Sequence, residues 1–386
     1  MTNAGNSRNP PGPDQSGSWG SEATGLLRAI DANTNRSMEA LRVLEDLARF
    51  VFDDVHLTNE LKSIRHELMS LTLPVADVAL SSRDTTGDIG RDPRTDQEYE
   101  RTHLVDLIRA NARRMEQALR SLEECLKSIS PATSVKVEQL RYRAYTLELA
   151  LANTLASHRR LGNARLYVLI DGCESRDVLV HHVRMLVRKG VDLIQLRDKQ
   201  LCDRELFERA VALSQTVRGT RTLAIVNDRP DIALAAQAHG VHVGQDELPV
   251  QQVRSMVGPD QLIGLSTHTL NQAKQAVLVG ADYIGVGPVF PSKTKTFADF
   301  VGTELLAEVA RHISLPAFAI GGINVDNLPL VRESGFSRVA ISSAVTASSD
   351  PEASIQAIQK GLDEADDRRA ELVALSNSAP RTSTPR

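Results

Sequence analysis

Asp282–Thr296 reads DYIGVGPVFPSKTKT. Its opening residues, Tyr283-Ile284-Gly285-Val286-Gly287, form a short apolar run of the length expected for a buried strand. The run empties into a loop holding Pro288, Pro291, Ser292, Lys293, Thr294, Lys295 and Thr296. Hydroxyls interleaved with ammonium groups at the C-terminal end of a strand can bind a phosphate-bearing ligand, and the two prolines restrict the loop that carries them. Loops of this composition are common on solvated surfaces, so the rest of the chain decides.

Outward from this run the same texture repeats. Short apolar stretches occur at Leu166–Ile170, Val191–Leu196, Leu223–Val226, Gly240–Val243, Leu262–Leu265, Tyr283–Val286, Ala317–Ile320 and Arg338–Ile341. Amphipathic stretches such as Asp177–Arg188, Arg204–Val217, Asp231–Ala238, Leu270–Leu278 and Val325–Arg332 fall between them. Strands alternating with helices imply a parallel sheet, and eight repeats imply a closed (β/α)8 TIM barrel. The alternative, an open doubly wound sheet, lacks support: the first strand-to-helix turn, Asp171-Gly172-Cys173-Glu174, carries no G-x-G-x-x-G fingerprint.

In a barrel the chemistry lies at the C-terminal strand ends. The second strand ends in Gln195-Leu196-Arg197-Asp198-Lys199, where a period of two puts Gln195, Arg197 and Lys199 on one face. The third ends in Asn227-Asp228, the fourth in Gly244-Gln245-Asp246-Glu247 and the fifth in Ser266-Thr267-His268-Thr269. The last two run into Gly321-Gly322 and Ser342-Ser343, the common phosphate position of this fold. Arg197, Lys199 and Lys295 suit a second, more highly charged phosphate group. Asp228 and Asp246 or Glu247 fit beside it if Mg²⁺ bridges carboxylates to phosphate oxygens. The strand ends thus read as a site for two phosphorylated molecules, one of them with Mg²⁺.

Composition is compatible with a two-domain globular chain of 386 residues, 41% hydrophobic and 24% charged. A net charge of −4 gives no case for nucleic acid. Cys125, Cys173 and Cys202 lack the spacing of a disulfide framework or zinc site. No apolar run reaches the length of a membrane span, and the first residues lack the apolar core of a secretory signal, so the cytoplasm is the default location. Residues 1–24 and 364–386 read as disordered tails.

Residues 25–160 read as an all-α domain and 161–363 as the barrel. Leu41, Leu44, Leu47, Ala48 and Val51 share a helix face, as do Met115, Leu119, Leu122 and Leu126. Leu140 to Leu155 marks a further helix. The domain contains an internal repeat. Asn33, Arg36, Ala40, Leu41, Arg42, Leu44 and Glu45 recur as Asn111, Arg114, Ala118, Leu119, Arg120, Leu122 and Glu123, at a constant offset of 78. Two readings follow: structural Arg–Glu ion pairs on duplicated helices, or a polar pocket built from Asn33, Arg36, Asn111 and Arg114 and covered by the Ser81–Asp96 loop.

The ordered motifs QLRDK, Asn-Asp, GVHVGQDELP, S-x-H-T, GADYIGVGPVFPSKTK, AIGGI and ISSAV resemble the thiamine phosphate synthase family over roughly residues 165–360. The resemblance implies a transferase that joins 4-amino-2-methyl-5-hydroxymethylpyrimidine diphosphate to a thiazole phosphate and releases diphosphate. It assigns Gln195, Arg197, Lys199, Asn227, Ser266 and Lys295 to the pyrimidine diphosphate, with Arg197, Lys199 and Lys295 as the catalytic cations. It assigns Asp228 and Glu247 to Mg²⁺, and Ser292, Thr294, Gly322, Ser342 and Ser343 to the thiazole phosphate. Three positions depart from the family pattern. Asp246 precedes Glu247 where the family has Glu then Asp, so either acid could be the second metal ligand; Ser292 replaces Thr; and Ser342 replaces an apolar residue. DANTNRSMEALRVLEDLARF resembles a helical domain fused to some of these synthases and linked to phosphorylating the pyrimidine monophosphate. No Walker A motif accompanies it, and the alternative is a dimerisation module, which would make the protein a homo-oligomer. Two rivals to the synthase reading are a thiazole tautomerase and a non-catalytic sensor of phosphorylated precursors. A tautomerase would not need Arg197, Lys199, Lys295 or Asp228.

Overall fold

The computed structural model describes residues 21–83, 103–291 and 300–363. The chain divides into two compact units, one reaching to Ala152 and one beginning at Asn153.

The first unit is built from α1 (Ser21–Phe50), α2 (Val55–Ser81), α3 (Leu104–Ile129) and most of α4 (Pro131–Leu161). Its core is the set of apolar positions that the periodicity picks out: Leu41, Leu44, Met115, Leu119, Leu122 and Leu140 are fully buried. The helix α1 starts at Ser21, inside the stretch read as a tail, because Ala23 and Leu27 are buried and extend the apolar face. The sequence repeat is a structural one. Arg65 Nε bonds Glu45 Oε2 at 2.8 Å, and Arg141 Nε bonds Glu123 Oε2 at 2.8 Å. Arg42 pairs with Glu45 and Arg120 with Glu123 through the same Nη1 and Oε1 atoms, at 3.2 and 2.7 Å. The α1–α2 hairpin and the α3–α4 hairpin thus each carry a buried carboxylate held by two arginines, one on its own helix and one on the next.

The second unit is a closed barrel of eight parallel strands in sequence order. The strands are β1 (Leu166–Ile170), β2 (Leu193–Leu196), β3 (Leu223–Asn227), β4 (Gly240–Val243), β5 (Leu262–Thr267), β6 (Tyr283–Val286), β7 (Ala317–Ile320) and β8 (Val339–Ile341). Between and after them lie α5 (Arg176–Arg188), α6 (Asp203–Val217), α7 (Pro230–Ala235), α8 (Val250–Val257), α9 (Leu270–Leu278), α10 (Gly302–His312), α11 (Leu328–Glu333), α12 (Ser343–Thr346) and α13 (Pro351–Asp363). Tyr167, Leu193, Ile225, Leu262, Tyr283, Phe318 and Ala340 form the inward layer near the strand starts, which Leu161 of α4 joins.

The unit boundary at Ala152 lies before the expected 160/161 because the end of α4 is anchored to the barrel. Asn153 donates to Ala281 O at 2.7 Å, and Arg160 pairs with Asp282 at 3.6 Å. Residues just ahead of β2, β4 and β6 accept backbone N–H groups at the start of the preceding strand. Asp192 accepts from Arg165 and Leu166, His239 from Ala224 and Asp282 from Ile263, at 2.7–3.0 Å. Buried backbone donors need such partners, so these residues fix the register at the amino end of the barrel. No helix among the described residues is long and apolar enough to cross a membrane.

Candidate active site

Side chains alternate faces along a strand, so the inward layer near the strand starts determines which residues face inward further up. From Leu193, Ile225, Leu262 and Ala340 the inward positions continue to Gln195 and Arg197, to Asn227, to Gly264 and Ser266, and to Ser342. The residues expected from β2, β3, β5 and β8 therefore converge on one end of one barrel.

Gln195 is 2% exposed and donates through Nε2 to the hydroxyl of Tyr167. That hydroxyl lies 3.0 Å from the hydroxyl of Tyr283, which is 3.3 Å from Nδ1 of His242. Nε2 of His242 lies 3.0 Å from Oγ of Ser266. A continuous hydrogen-bonded chain thus crosses the barrel interior from Gln195 on β2 to Ser266 on β5. Burial pushes His242 down to about 4, and the positive charge of Arg197 acts in the same direction. Near neutral pH the ring is therefore uncharged and can donate from one nitrogen while accepting at the other. Burial raises Tyr167 and Tyr283 well above the ordinary phenol range, which keeps both as neutral donors.

The sequence reading missed His242, Tyr167 and Tyr283. Their signal was present as three hydrogen-bonding side chains on the inward face of short apolar strands. Gly264 makes room for them, since a β-carbon there would lie 2.2 Å from the Tyr283 ring and 2.4 Å from His242 Nδ1.

Arg197 is half-buried just past β2, with its N–H on Ile170 O at 2.8 Å. Lys199 is exposed and pairs with Asp228 at 3.7 Å. Asp228 also accepts from Asn227 Nδ2 at 2.6 Å, and its backbone sits in the left-handed region at φ 60°. One carboxylate thus gathers an amide and an ammonium group at the ends of β2 and β3. Asp198, on the same strand end, is occupied elsewhere: it accepts the backbone N–H groups of Gly172, Gln200 and Leu201 and holds the β1 and β2 loops together.

Asp246 and Glu247 are exposed beyond β4, and Glu247 Cγ folds back to 3.5 Å from where a β-carbon of Gly244 would lie. Among the described residues no group of three or more His, Cys, Asp or Glu is placed to hold a metal ion. The donor set suits Mg²⁺ chemically, because that ion takes one or two carboxylates and completes its shell with phosphate oxygens and water.

The expected thiazole side divides. Ser292 and Thr294 lie outside the described residues, and so does Lys295, expected on the diphosphate, with Lys293 and Thr296. The segment that leads to them is held to β7. Val289 N bonds Ile320 O and Phe290 N bonds Gly321 O, both at 3.0 Å, which zips the β6 loop onto the end of β7. Gly322 has φ 64°, and a β-carbon there would meet Pro291 O at 2.5 Å. Only glycine fits where two backbones come this close. Ser342 gives its carbonyl to the N–H groups of Val345 and Thr346 at 2.9 Å, and its side chain does not cap α12. Ser343 is the first residue of that helix.

A cavity of about 480 Å³ at Asp171, Cys173, Glu174, Val178 and Asp198 lies beside the mouth. Its three carboxylates make it unsuited to phosphate. Burial pushes the Cys173 thiol up to about 11, so it is no thiolate near neutral pH.

These features define a (β/α)8 barrel with a polar, cation-bearing mouth at the carboxyl ends of its strands. Residues 166–345 match the thiamine monophosphate synthase family, and residues 28–150 match the ThiD2 family. A thiamine-phosphate synthase of Rhodopirellula baltica is 44% identical over 334 residues, covering 84% of this chain and 89% of the relative. One from Nostoc punctiforme is 37% identical, covering 84% and 91%. A solved thiamine phosphate pyrophosphorylase from Pyrococcus furiosus is 34% identical, with a TM-score of 0.47, and covers 53% of this chain and 97% of its own. The chain belongs to the thiamine-phosphate synthase family.

Proposed function

We propose that the barrel is a Mg²⁺-dependent cytoplasmic transferase of the alkyl/aryl class. It condenses 4-amino-2-methyl-5-hydroxymethylpyrimidine diphosphate with thiazole phosphate and releases diphosphate and thiamine phosphate. The observation that carries this reading is the hydrogen-bonded chain joining Gln195 to Ser266, two of the residues assigned to the pyrimidine substrate, through neutral Tyr167, Tyr283 and His242. Such a chain fixes the orientation of an amide and a hydroxyl on opposite sides of the barrel, as recognition of a planar heterocycle requires.

Arg197, Lys199 and Lys295 then hold the diphosphate, with Asn227 orienting it. Asp228 and Glu247 would hold Mg²⁺, which supplies countercharge to the diphosphate oxygens. Departure of diphosphate leaves a pyrimidine-methyl cation, and the thiazole nitrogen captures it. Each fixed cation about 4 Å from a phosphate oxygen contributes about 4 kcal/mol at an effective dielectric near 20, before desolvation. Several such groups supply much of a typical acceleration of about 8–23 kcal/mol without a general base. Ser292, Thr294, Gly322, Ser342 and Ser343 position the thiazole phosphate, so that its ring nitrogen meets the cation.

The test is a mixture of both substrates with Mg²⁺ and the purified protein, scored for diphosphate and thiamine phosphate. Absence of product from folded protein sinks the reading. Lys295→Ala should cut turnover by orders of magnitude while thiazole phosphate still binds. Loss of thiazole binding alone would show that the loop is divided wrongly between the substrates.

For the helical unit, the ThiD2 match favours a pyrimidine monophosphate kinase-related role. ATP consumption by the full chain with pyrimidine monophosphate tests it. A chain that consumes none, yet makes thiamine phosphate, would leave the unit as a dimerisation module.

A further inference from the structure

The helical unit carries a cavity of its own, of about 460 Å³, lined by Asn33, Arg36, Glu39, Arg114, Gln117 and Ala118. The repeat relates these residues to one another: Arg36 corresponds to Arg114 and Glu39 to Gln117, at the same offset of 78. Equivalent residues of α1 and α3 therefore line one space, as they must if the two repeats meet about a local twofold axis. Ala40 and Ala118, also equivalent, are buried, and their small side chains let the two helices approach. Asn33 fixes the floor. It donates to Ala29 O at 2.8 Å and to Ser121 Oγ at 3.1 Å, which ties α1 to α3. Asn111, expected to share the pocket, instead turns back to Leu107 O at 2.9 Å and does not line the cavity.

The arginines of the repeat differ in what they hold. Arg42, Arg65, Arg120 and Arg141 are each committed to Glu45 or Glu123, and Arg83 and Arg143 pair with Asp31 and Glu67. Arg36 and Arg114 form no ion pair among the described residues, although Glu39 lines the same cavity. The repeat would place a second carboxylate opposite Glu39, but Gln117 stands there. The cavity thus presents two guanidinium groups, one carboxylate and one amide, with a net positive charge. Planar guanidinium forks match phosphate oxygens two bonds at a time. The cavity volume lies within the range of about 300–1,000 Å³ typical of small-molecule sites.

We propose that this cleft between α1 and α3 is a second ligand site, which clasps a phosphate dianion between Arg36 and Arg114. Glu39 and Gln117 flank the phosphate and offer one acceptor and one amide to whatever group the phosphate carries. The site is independent of the barrel, and its occupancy does not require thiamine phosphate formation.

The experiment is hydrogen–deuterium exchange on the full chain, titrated with inorganic phosphate, with phenyl phosphate, and with sodium chloride at matched ionic strength. Exchange reports by position, so phosphate bound in the barrel is read separately. Both phosphates should slow exchange in the segments of α1 and α3 around Arg36 and Arg114, and chloride should not. Arg36→Gln or Arg114→Gln should raise the half-saturating concentration about tenfold or more, as expected for losing one charged hydrogen-bond donor. The double variant should lose the protection while its rate of thiamine phosphate formation stays that of the parent. Arg36→Lys/Arg114→Lys, which keeps the charge but not the fork, should fall between. Protection at tenfold lower phenyl phosphate than inorganic phosphate assigns the site to an ester; equal concentrations assign it to the free ion. Equal protection by chloride, no protection in either helix, or protection that survives in the double glutamine variant overturns the proposal. Both arginines are exposed, and a thermal melt matching the parent excludes unfolding as the cause of a loss.

Discussion

Gly322→Ala tests the contact between the β6 loop and the end of β7. The new methyl carbon would lie 2.5 Å from Pro291 O and 2.7 Å from Phe290 O, against an ordinary contact of 3.4 Å or more. Relief requires the Phe290-Pro291 backbone to retreat by about 0.9 Å at the Pro291 carbonyl. That backbone leads directly into Ser292–Lys295. A misplacement of about 1 Å can cost a catalysed reaction about 10²-fold, so kcat/KM for thiamine phosphate formation should fall by about 10- to 100-fold. The positive φ of 64° adds a folding penalty of roughly 1–2 kcal/mol, and this must be separated from the steric effect. Gly219 supplies the control. It has φ 78° with nothing within 4 Å of an added β-carbon, so Gly219→Ala carries the strain without the collision. Steady-state kinetics with each substrate varied in turn, beside urea unfolding of both variants, distinguishes the two. Gly219→Ala should lose comparable stability and keep kcat/KM within about twofold of the parent. If Gly322→Ala also keeps kcat/KM within twofold, the β7 turn does not position the loop and the reasoning fails.

At the other end of β6, Asp282→Asn should lower stability and leave turnover unchanged. Its buried carboxylate accepts from Ile263 N at 2.7 Å and from Arg254 at 2.5 Å. The loss should be about 2–3 kcal/mol in urea unfolding, below the 3–5 of a fully buried pair, because Arg254 is 27% and Arg160 30% exposed. His242 governs an acid limb. Its folded value of about 4 lies below the ordinary 6.5, so the unfolded chain binds a proton that the native ring refuses. Stability should therefore be intact above about pH 6.5 and fall as pH drops towards 4, by up to about 3 kcal/mol from this residue. His182 and His239 are also shifted down by burial and steepen the same limb. His242→Gln should flatten the pH dependence of the urea midpoint between pH 6.5 and 4; an unchanged slope would show that His242 is protonated in the native barrel.

The legible part of this fold is the part whose cause is local. Each apolar run is a strand because a short stretch of mostly buried residues admits little else between amphipathic helices, and the eight runs match the eight strands with ends shifted by two residues or fewer. That the candidate residues of β2, β3 and β5 face the barrel interior was legible for the same reason, since parity along a strand decides the face. Partners were not legible. Gly240-Val241-His242-Val243 announces an inward imidazole, but Ser266 and Tyr283, which set its state, lie 24 and 41 positions away. Likewise the 78-residue repeat announced equivalent arginines, but not that the 42/120 pair would be spent on glutamates and the 36/114 pair left to line a cavity.

The stretch Asp282–Thr296 shows the difference within a single strand. An extended chain rises about 3.3 Å per residue, so Asp282 and Pro288 lie roughly 20 Å apart along it. The carboxylate of Asp282 therefore cannot serve the mouth of the barrel. It holds Arg254, Arg160 and the start of β5 at the amino end, while the residues after Pro288 are zipped to β7 at the carboxyl end. Stability is thus attached to one end of a four-residue strand, and the proposed chemistry to the other. The penalties of Asp282→Asn and Gly322→Ala should for that reason add in the double variant, in urea unfolding as in kinetics, because the two sites share no partner.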